Sequence, residues 1–209
     1  MRTRFVALAV LVAANGVTGC ARPLPQVGLG SLEGVREARF PAVGTWRRED
    51  GALTNVIPRG VSSDDVLNAR NGIGVSLGIL PDFAARDLAI QSDLTFERTG
   101  APSVVFRAQF EDGVVVSMYS LVLYSRGVNL WRLKDGEWIP LHRHVFPVAP
   151  SKRHALRADC RGDTIAVSLD GRKLFESRDT LLMEPGRAGI CGREGVCRFF
   201  TLAIEQRDE

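Results

Sequence analysis

Arg107 and Gln109 lie in a run whose alternation gives it two different faces. Within residues 103–110, every second side chain is apolar and faces a predicted core, which leaves Val105, Arg107 and Gln109 on the opposite face. A planar guanidinium beside a carboxamide on an exposed concave sheet can hydrogen-bond sugar hydroxyls or a carboxylate. The pattern therefore predicts a ligand-binding face that includes Arg107 and Gln109.

Trp131 and Trp138 follow a short distance along the chain. An indole ring combines a large apolar area with an N–H donor, so a pyranose ring can stack on it. Tryptophan in a β-sandwich is also a common packing residue, and both roles stay open for these two side chains. We assign Trp131 to the predicted binding face as an aromatic platform.

Metal-ligating and acid–base residues give weaker patterns. His142 and His144 are two apart and would project from one side of a strand, as a zinc pair does, but His154 has no carboxylate at ligand spacing. Asp93 and Glu97 are four apart on one predicted strand, where such a pair is usually solvent-facing. The sequence predicts no metal site and no cofactor, and the Asp-rich loops leave calcium as an open alternative.

The first twenty residues predict the compartment. A positive start, MRTR, precedes an apolar stretch over 5–14 and a small-residue segment, which is the pattern of a secretory signal peptide and is too short for a membrane span. The sequence VTGC at 17–20 resembles a bacterial lipobox, which implies that Cys20 becomes the N-terminus and carries acyl chains that anchor it in a lipid bilayer. The alternative is an ordinary signal peptide cut after Ala14.

The residue after the cysteine bears on the location. By resemblance to Gram-negative lipoproteins, Ala21, in place of an aspartate, favours the outer membrane of the cell envelope. The export signal also places the chain in an oxidising compartment, where disulfides form. Cys191 and Cys197 flank a predicted turn, so we predict a disulfide between them that leaves Cys160 free. A Cys160–Cys191 pair is the main alternative.

Composition and charge exclude several classes. A hydrophobic share of 45% is too high for a disordered chain. The net charge is +3, and no block of five to eight residues is rich in Lys and Arg, so the sequence predicts no nucleic-acid partner. Residues 1–19 are the predicted signal peptide, 20–38 a flexible Pro- and Gly-containing tether, and 39–209 a single β domain.

Short strands must position the side chains discussed above. Apolar or alternating runs are separated by Asp-Gly and Gly-Asp pairs typical of tight hairpins, and helical signal is confined to one turn over 62–69. This spacing predicts an all-β sandwich or barrel. The predicted strands are 73–80, 88–98, 103–110, 114–124, 128–133, 138–142, 154–159, 164–169, 173–176, 187–191 and 197–204.

The order of motifs resembles a known fold. The stretch HALRADCRGDTIAVSLDGRKLF, then GRAGI and a final strand, is similar to the end of concanavalin A-like jelly rolls, and SVVFRAQ with YSLVLYSRGVNLWRL fits the preceding strands. Over roughly residues 40–206 the chain resembles laminin G-like modules and domains of the 3-keto-disaccharide hydrolase type. The resemblance implies a sandwich of two antiparallel sheets, and its strand order implies that Tyr119 joins the predicted binding face.

Three functions follow as expectations. The first is non-catalytic binding of an extracytoplasmic oligosaccharide or polysaccharide by Arg107, Gln109, Tyr119 and Trp131. The second is a glycoside-active hydrolase, but the Glu-x-Asp-x-x-Glu strand of laminarinase-type enzymes is absent from the sequence, and no acid and base can be named. The third is an envelope module that binds another protein. The sequence favours the first and leaves the oligomeric state open.

Overall fold

The computed structural model describes residues 26–28, 36–37, 45–57 and 76–207. The predicted signal peptide, the lipidation site Cys20 and the helical turn predicted over 62–69 lie outside the described residues. Within them, no helix has the length and apolar character needed to cross a membrane.

The described residues form sixteen strands in two antiparallel sheets, which confirms the predicted all-β concanavalin A-like jelly-roll sandwich. Sheet A has the strand order β13-β12-β11-β6-β15-β4-β3, with β16 also paired to β6 and β1 paired to β16. Its strands are β1 (Gln26–Gly28), β3 (Thr45–Glu49), β4 (Ala52–Val56), β6 (Leu88–Phe96), β11 (His154–Arg161), β12 (Thr164–Leu169), β13 (Arg172–Arg178), β15 (Val196–Phe199) and β16 (Thr201–Gln206).

Sheet B contains the longest strands and has the order β10-β9-β8-β7-β14-β5-β2. These strands are β2 (Arg36–Glu37), β5 (Ser76–Ile79), β7 (Pro102–Glu111), β8 (Val114–Tyr124), β9 (Gly127–Lys134), β10 (Glu137–Val145) and β14 (Arg187–Gly192). One face of each sheet contributes to a shared core, and the opposite face of sheet B is called the outer face here.

Alternation on single strands explains the core. On β12, Ile165, Val167 and Leu169 are buried, whereas the residues between them are only half-buried. Val104 and Phe106 of sheet B belong to the same apolar cluster from the other side. The two sheets therefore enclose one continuous core, as expected when each strand hides one of its faces.

The Asp-Gly pairs form the hairpin turns that the sequence predicts. Asp112 and Gly113 have φ angles of 51° and 80°, and Asp170 and Gly171 have φ angles of 52° and 78°. Both central residues of a type I′ turn need a positive φ, which aspartate and glycine adopt more readily than most residues. These turns fix the β7–β8 and β12–β13 registers.

Two short strands lie within the span that the sequence predicts as a tether. Within the span 20–38, β1 pairs with β16 of sheet A, and β2 pairs with β5 of sheet B. The last predicted strand, 197–204, is also divided, because the Phe200 N–H donates a hydrogen bond to the Asp93 carbonyl (2.7 Å) and the chain passes from β15 to β16 there.

A β-bulge interrupts β7 at Arg107. The register with β8 shifts between Phe106 and Gln109, and Arg107 has a φ of 51°, in the left-handed region. Gly186 lies against this bulge, where a Cβ atom would come within 2.4 Å of the Arg107 carbonyl carbon. The absence of a side chain at Gly186 therefore allows the bulge, and the bulge reverses the alternation of side chains along the second half of β7.

Candidate functional site

The structure corrects the predicted position of Arg107, whose side chain is fully buried (0% exposed). Its Nε donates to the Arg86 carbonyl (2.7 Å), Nη1 to the Leu182 carbonyl (2.9 Å) and Nη2 to the Gly162 carbonyl (2.7 Å). Nη2 also lies 3.3 Å from Asp87 Oδ1. Because the bulge turns it inward, Arg107 ties three segments together and is not on an exposed face.

Tyr119 is also buried, in contrast to the predicted binding face. It shares its side of β8 with Leu121, a core residue, and its hydroxyl donates to Asp179 Oδ1 (3.0 Å). Burial, and next the Asp179 carboxylate, raise the pKa of Tyr119. Asp179 forms a buried ion pair with Arg132 as well. Tyr119 thus belongs to an internal polar network between the sheets.

Gln109 lies near one end of β7, where its Nε2 donates to the Pro185 carbonyl (2.7 Å). It lines a cavity of about 590 Å³ together with Glu111, Lys134 and Glu184. This cavity is at the beginning of β8. Arg107 and Tyr119 are brought together, with the Arg107 guanidinium carbon 5.9 Å from the Tyr119 ring centroid, and Gln109 pairs with Ser117, two residues before Tyr119. They meet on the buried side of sheet B, and not on the exposed face that the sequence predicts.

The predicted disulfide between Cys191 and Cys197 is not formed, which is a correction. Cys160, Cys191 and Cys197 are all free and buried. Cys191 belongs to the apolar cluster on the outer face of sheet B, whereas Cys197 belongs to the core between the sheets. Burial raises the pKa of Cys160 to about 12 and that of Cys191 to about 11, so these thiols stay protonated at neutral pH.

The histidines have structural surroundings. The His142 ring stacks on Phe175 of sheet A with centroids 3.9 Å apart, and the His144 ring is 6.4 Å from the His142 ring. His154 is hydrogen-bonded to Asp170 and to the Ala149 carbonyl, both at 2.9 Å. Over the described ranges, no three His, Cys, Asp or Glu side chains are grouped as a metal ion would require.

The acidic pair of the sequence is separated from the outer face of sheet B. Asp93 lies on β6 of sheet A and forms an ion pair with Arg153 (3.3 Å). Glu97 follows the end of β6 and is exposed. Neither Asp93 nor Glu97 lines the cavity beside Gln109.

Trp131 lies on the outer face of sheet B, on the side opposite to Arg107 and Tyr119. Its register neighbours are Ser120 on β8 and Pro140 on β10. The ring is only 9% exposed, and the Arg143 guanidinium carbon lies 5.4 Å from its centroid. Arg143 is exposed, so the indole has a cationic cover at the accessible edge of the face.

Arg193 meets Trp138 on the same face. It follows β14 directly, where its backbone N–H donates to the Ala101 carbonyl (3.1 Å). The side chain is 1% exposed, and its guanidinium carbon lies 3.9 Å from the Trp138 ring centroid. Burial lowers the pKa of Arg193, and the neighbouring Tyr124 and Cys191 oppose that shift. This cation has a stacking partner but no carboxylate partner.

Six buried polar atoms on this face have no hydrogen-bond partner. They are the three side-chain nitrogens of Arg193, the indole nitrogens of Trp131 and Trp138, and Ser120 Oγ. We call these four residues the donor cluster. A buried polar group without a partner costs about 1–3 kcal/mol, and more when it is charged. A group of such atoms in one place makes this face a candidate for ligand binding.

A cavity of about 420 Å³ is lined by neighbours of the donor cluster, and the four cluster residues themselves lie behind its lining. It lies at the end of β8 opposite to the Gln109 cavity, and it shares Arg143 and the Arg193 neighbour Glu194 with the cluster surroundings. Its other polar lining residues include Arg98, Tyr124, Arg126 and Asn129. The cavity gives the half-buried Tyr124 and the exposed Arg143 direct access to solvent.

Comparison with solved structures shows which known proteins share this fold. A carbohydrate-binding module from Bacillus subtilis superposes with a TM-score of 0.67 and 17% identity, over 83% of this chain and 96% of the module. A β-glucanase from Bacillus licheniformis gives 0.56 and 10% identity, over 84% and 94%. A galectin-like protein of unknown function from Bacillus subtilis gives 0.57 and 12% identity, over 82% and 88%.

These likenesses establish the shared jelly-roll fold. No protein-family model and no curated protein matches the sequence. The neighbours include binding modules as well as glycosidases, so the fold is compatible with both kinds of activity.

Sequence reasoning missed Arg193 and assigned it to a turn between two cysteines. A signal for the rest of the cluster was present, since Asn129, Trp131 and Leu133 alternate on β9 and share a face with Trp138. Arg193 itself is outside a regular strand, and only the folded chain brings it over Trp138.

Proposed function

We propose that the outer face of sheet B binds an extracytoplasmic glycan without catalysis, at the donor cluster and the adjoining cavity. The observation that carries this proposal is the group of six buried, unpartnered polar atoms beside two indole rings. Sugars offer ring faces that stack on aromatic side chains and oxygens that accept hydrogen bonds. A glycan would therefore satisfy both halves of the site.

The neighbours of this fold support a carbohydrate ligand. One of them is named as a carbohydrate-binding module, and it is covered almost in full by the superposition. Of the residues that the sequence predicts, the proposed site retains Trp131. Ser120, Trp138 and Arg193 lie on the outer face of sheet B together with Trp131, and they replace the other three predicted residues, which are Arg107, Gln109 and Tyr119.

The chemistry of the site favours binding over hydrolysis. Of the described residues that line the cavity, Glu194 supplies the carboxylate, whereas most glycosidases use two carboxyl groups on opposite sides of the scissile bond. An assay for released reducing ends in the presence of a bound glycan tests the hydrolase alternative. Release above the rate without protein would contradict the non-catalytic proposal.

The location is proposed from the sequence alone. We infer a lipoprotein held in the bilayer by acylated Cys20, in the outer membrane if the cell is Gram-negative. Replacing Cys20 with Ala should release the protein from membranes into the soluble fraction. Unchanged partitioning of the Cys20→Ala variant into membranes would contradict the anchor.

A glycan-panel binding screen with the full-length chain tests the proposed function. Calcium and then a chelator should be included, because calcium remains open as a ligand. Trp138→Leu should abolish binding while the protein stays folded by circular dichroism. Gln109→Ala is the matched control, since Gln109 lies by the other cavity, and it should bind normally. A chain that binds no glycan would instead favour the protein-partner alternative.

A further inference from the structure

The donor cluster contains many hydrogen-bond donors and few acceptors, and this difference limits the class of ligand that fits it. Arg193, Trp131 and Trp138 can only donate hydrogen bonds through their side-chain nitrogens, and Ser120 supplies the one hydroxyl of the cluster. A neutral sugar hydroxyl both donates and accepts, so sites for neutral sugars need acceptors as well as donors. Carboxylate and sulfate oxygens only accept.

The charge around the donor cluster is positive, like that of Arg193 itself. The adjoining cavity is lined by Arg98, Arg126 and Arg143 against a single glutamate, Glu194. The Arg193 side chain is almost fully buried, with 1% of its surface exposed. A buried cation without a carboxylate partner strongly destabilises the folded state unless a negative charge binds beside it. An anionic ligand would supply that charge.

The geometry also suits a planar anion. The Arg193 guanidinium carbon lies 3.9 Å from the Trp138 ring centroid, near the Tyr124 and Cys191 side chains, and no carboxylate among the described residues pairs with it. A guanidinium edge binds a carboxylate or sulfate through two parallel hydrogen bonds. Stacking therefore fixes the orientation of the group before a ligand binds, and this reduces the entropic cost of binding.

We infer that the site recognises an acidic glycan, one whose sugar units carry a carboxylate or a sulfate, and that Arg193 binds the anionic group. This inference rests on the proposed function and names the ligand class of the same site. Trp131, Trp138 and Ser120 then contact the sugar that bears the charge, and Arg143 lies at the entrance over the Trp131 ring.

Matched pairs of probes test the inference. Trigalacturonate and its fully methyl-esterified form share one sugar backbone, and esterification removes the negative charges. A sulfated carrageenan oligosaccharide and its desulfated form provide the sulfate counterpart. Binding to the full-length protein is measured by tryptophan fluorescence and titration calorimetry at low and high salt. At least one acidic probe should bind about tenfold or more tightly than its neutral partner, with affinity reduced by salt.

Variants assign the preference to Arg193. Arg193→Met should bring the acidic and neutral probes to equal affinity, and Arg193→Lys should keep part of the preference because it retains the charge without the planar fork. Arg187→Met is the control, since Arg187 is an exposed arginine over Phe110 (5.1 Å) on the same sheet, and it should preserve the preference.

The outcomes separate the two proposals. Equal binding of acidic and neutral probes, or an unchanged preference in Arg193→Met, would overturn the acidic-glycan inference and leave glycan binding intact. Binding of none of the probes, together with no binding in the wider glycan panel, would overturn the proposed function itself. Binding of free sulfate with the same affinity as the sulfated oligosaccharide would show an anion site without sugar recognition, which also overturns the inference.

Discussion

Arg107 and Arg193 are both buried arginines of the β7–β14 region, yet their surroundings are opposite. Arg107 uses Nε, Nη1 and Nη2 in hydrogen bonds to three carbonyls and pairs with Asp87, whereas Arg193 has neither a carbonyl nor a carboxylate partner for its side chain among the described residues. Burial alone is therefore a poor guide to role. A buried arginine whose hydrogen bonds are all made within the protein stabilises the fold, whereas one that lacks such partners is a candidate for binding a ligand.

The largest expected effect is on folding stability at Arg107. Arg107→Met leaves Asp87 without its buried partner and removes the bonds between three segments, so we expect a loss of about 3–5 kcal/mol in the free energy of unfolding. Urea denaturation measures it, with Arg187→Met as an exposed control close to the parent. A loss below about 1 kcal/mol would remove the contrast between the two arginines.

Asp179, whose carboxylate also has its partners within the protein, should show a smaller loss in the free energy of unfolding when it is replaced. Asp179→Asn keeps an acceptor for the Tyr119 hydroxyl but removes the charge that pairs with Arg132, so we expect a destabilisation of about 2–3 kcal/mol. The midpoint of urea unfolding reports it. An unchanged midpoint would mean that the network of Tyr119, Asp179 and Arg132 adds nothing to the fold.

Arg193→Met should change stability little. Replacing an unpaired buried cation by an apolar side chain of similar length removes a desolvation cost, so we expect stability to stay within about 1 kcal/mol of the parent or to rise. Thermal unfolding without ligand makes the measurement. A loss as large as that of Arg107→Met would show that Arg193 is structural.

The smallest expected effect is the pH dependence of stability that His142 contributes, and His154 is the histidine with which it is compared. His154 has hydrogen-bond partners on both ring nitrogens, whereas the ring of His142 stacks on Phe175. Burial, and next the nearby His144, lower the pKa of His142 in the folded state. The unfolded chain then binds more protons than the folded chain as pH falls below about 6.5, so this contribution to stability is present above that pH and is lost below it.

Urea unfolding at pH 7.5 and pH 5 measures this contribution. His142→Phe preserves the stack on Phe175 and removes the titration, so its stability should fall less between the two pH values than that of the parent. An identical fall in both proteins would exclude His142 as the source.

The sheets were predictable because their signals are local. Alternation such as that of Ile165, Val167 and Leu169, and turns such as Asp170-Gly171, specify strands and hairpins within a few residues. The strand that carries Trp131 was predictable for the same reason, since β9 is regular around it.

The prediction of the binding face was wrong because β7 contains a β-bulge at Arg107. The bulge at Arg107 depends on Gly186, which is distant in sequence, and a shift of one residue moves every following side chain to the other face. Arg193 depends on a tertiary approach to Trp138 from another strand. The cysteine pairing failed likewise, because Cys191 and Cys197 are close in sequence but belong to different sheets.

The pairing of β1 with β16 gives the sandwich a mechanical property. A pull on the chain ahead of Gln26 reaches the folded body first through the short ladder from Gln26–Gly28 to Thr201–Ala203, and not through the core. That ladder can detach while the two sheets stay intact, and each residue it releases adds roughly 3.4 Å of reach. We therefore expect this segment to lengthen under load before the sandwich itself unfolds.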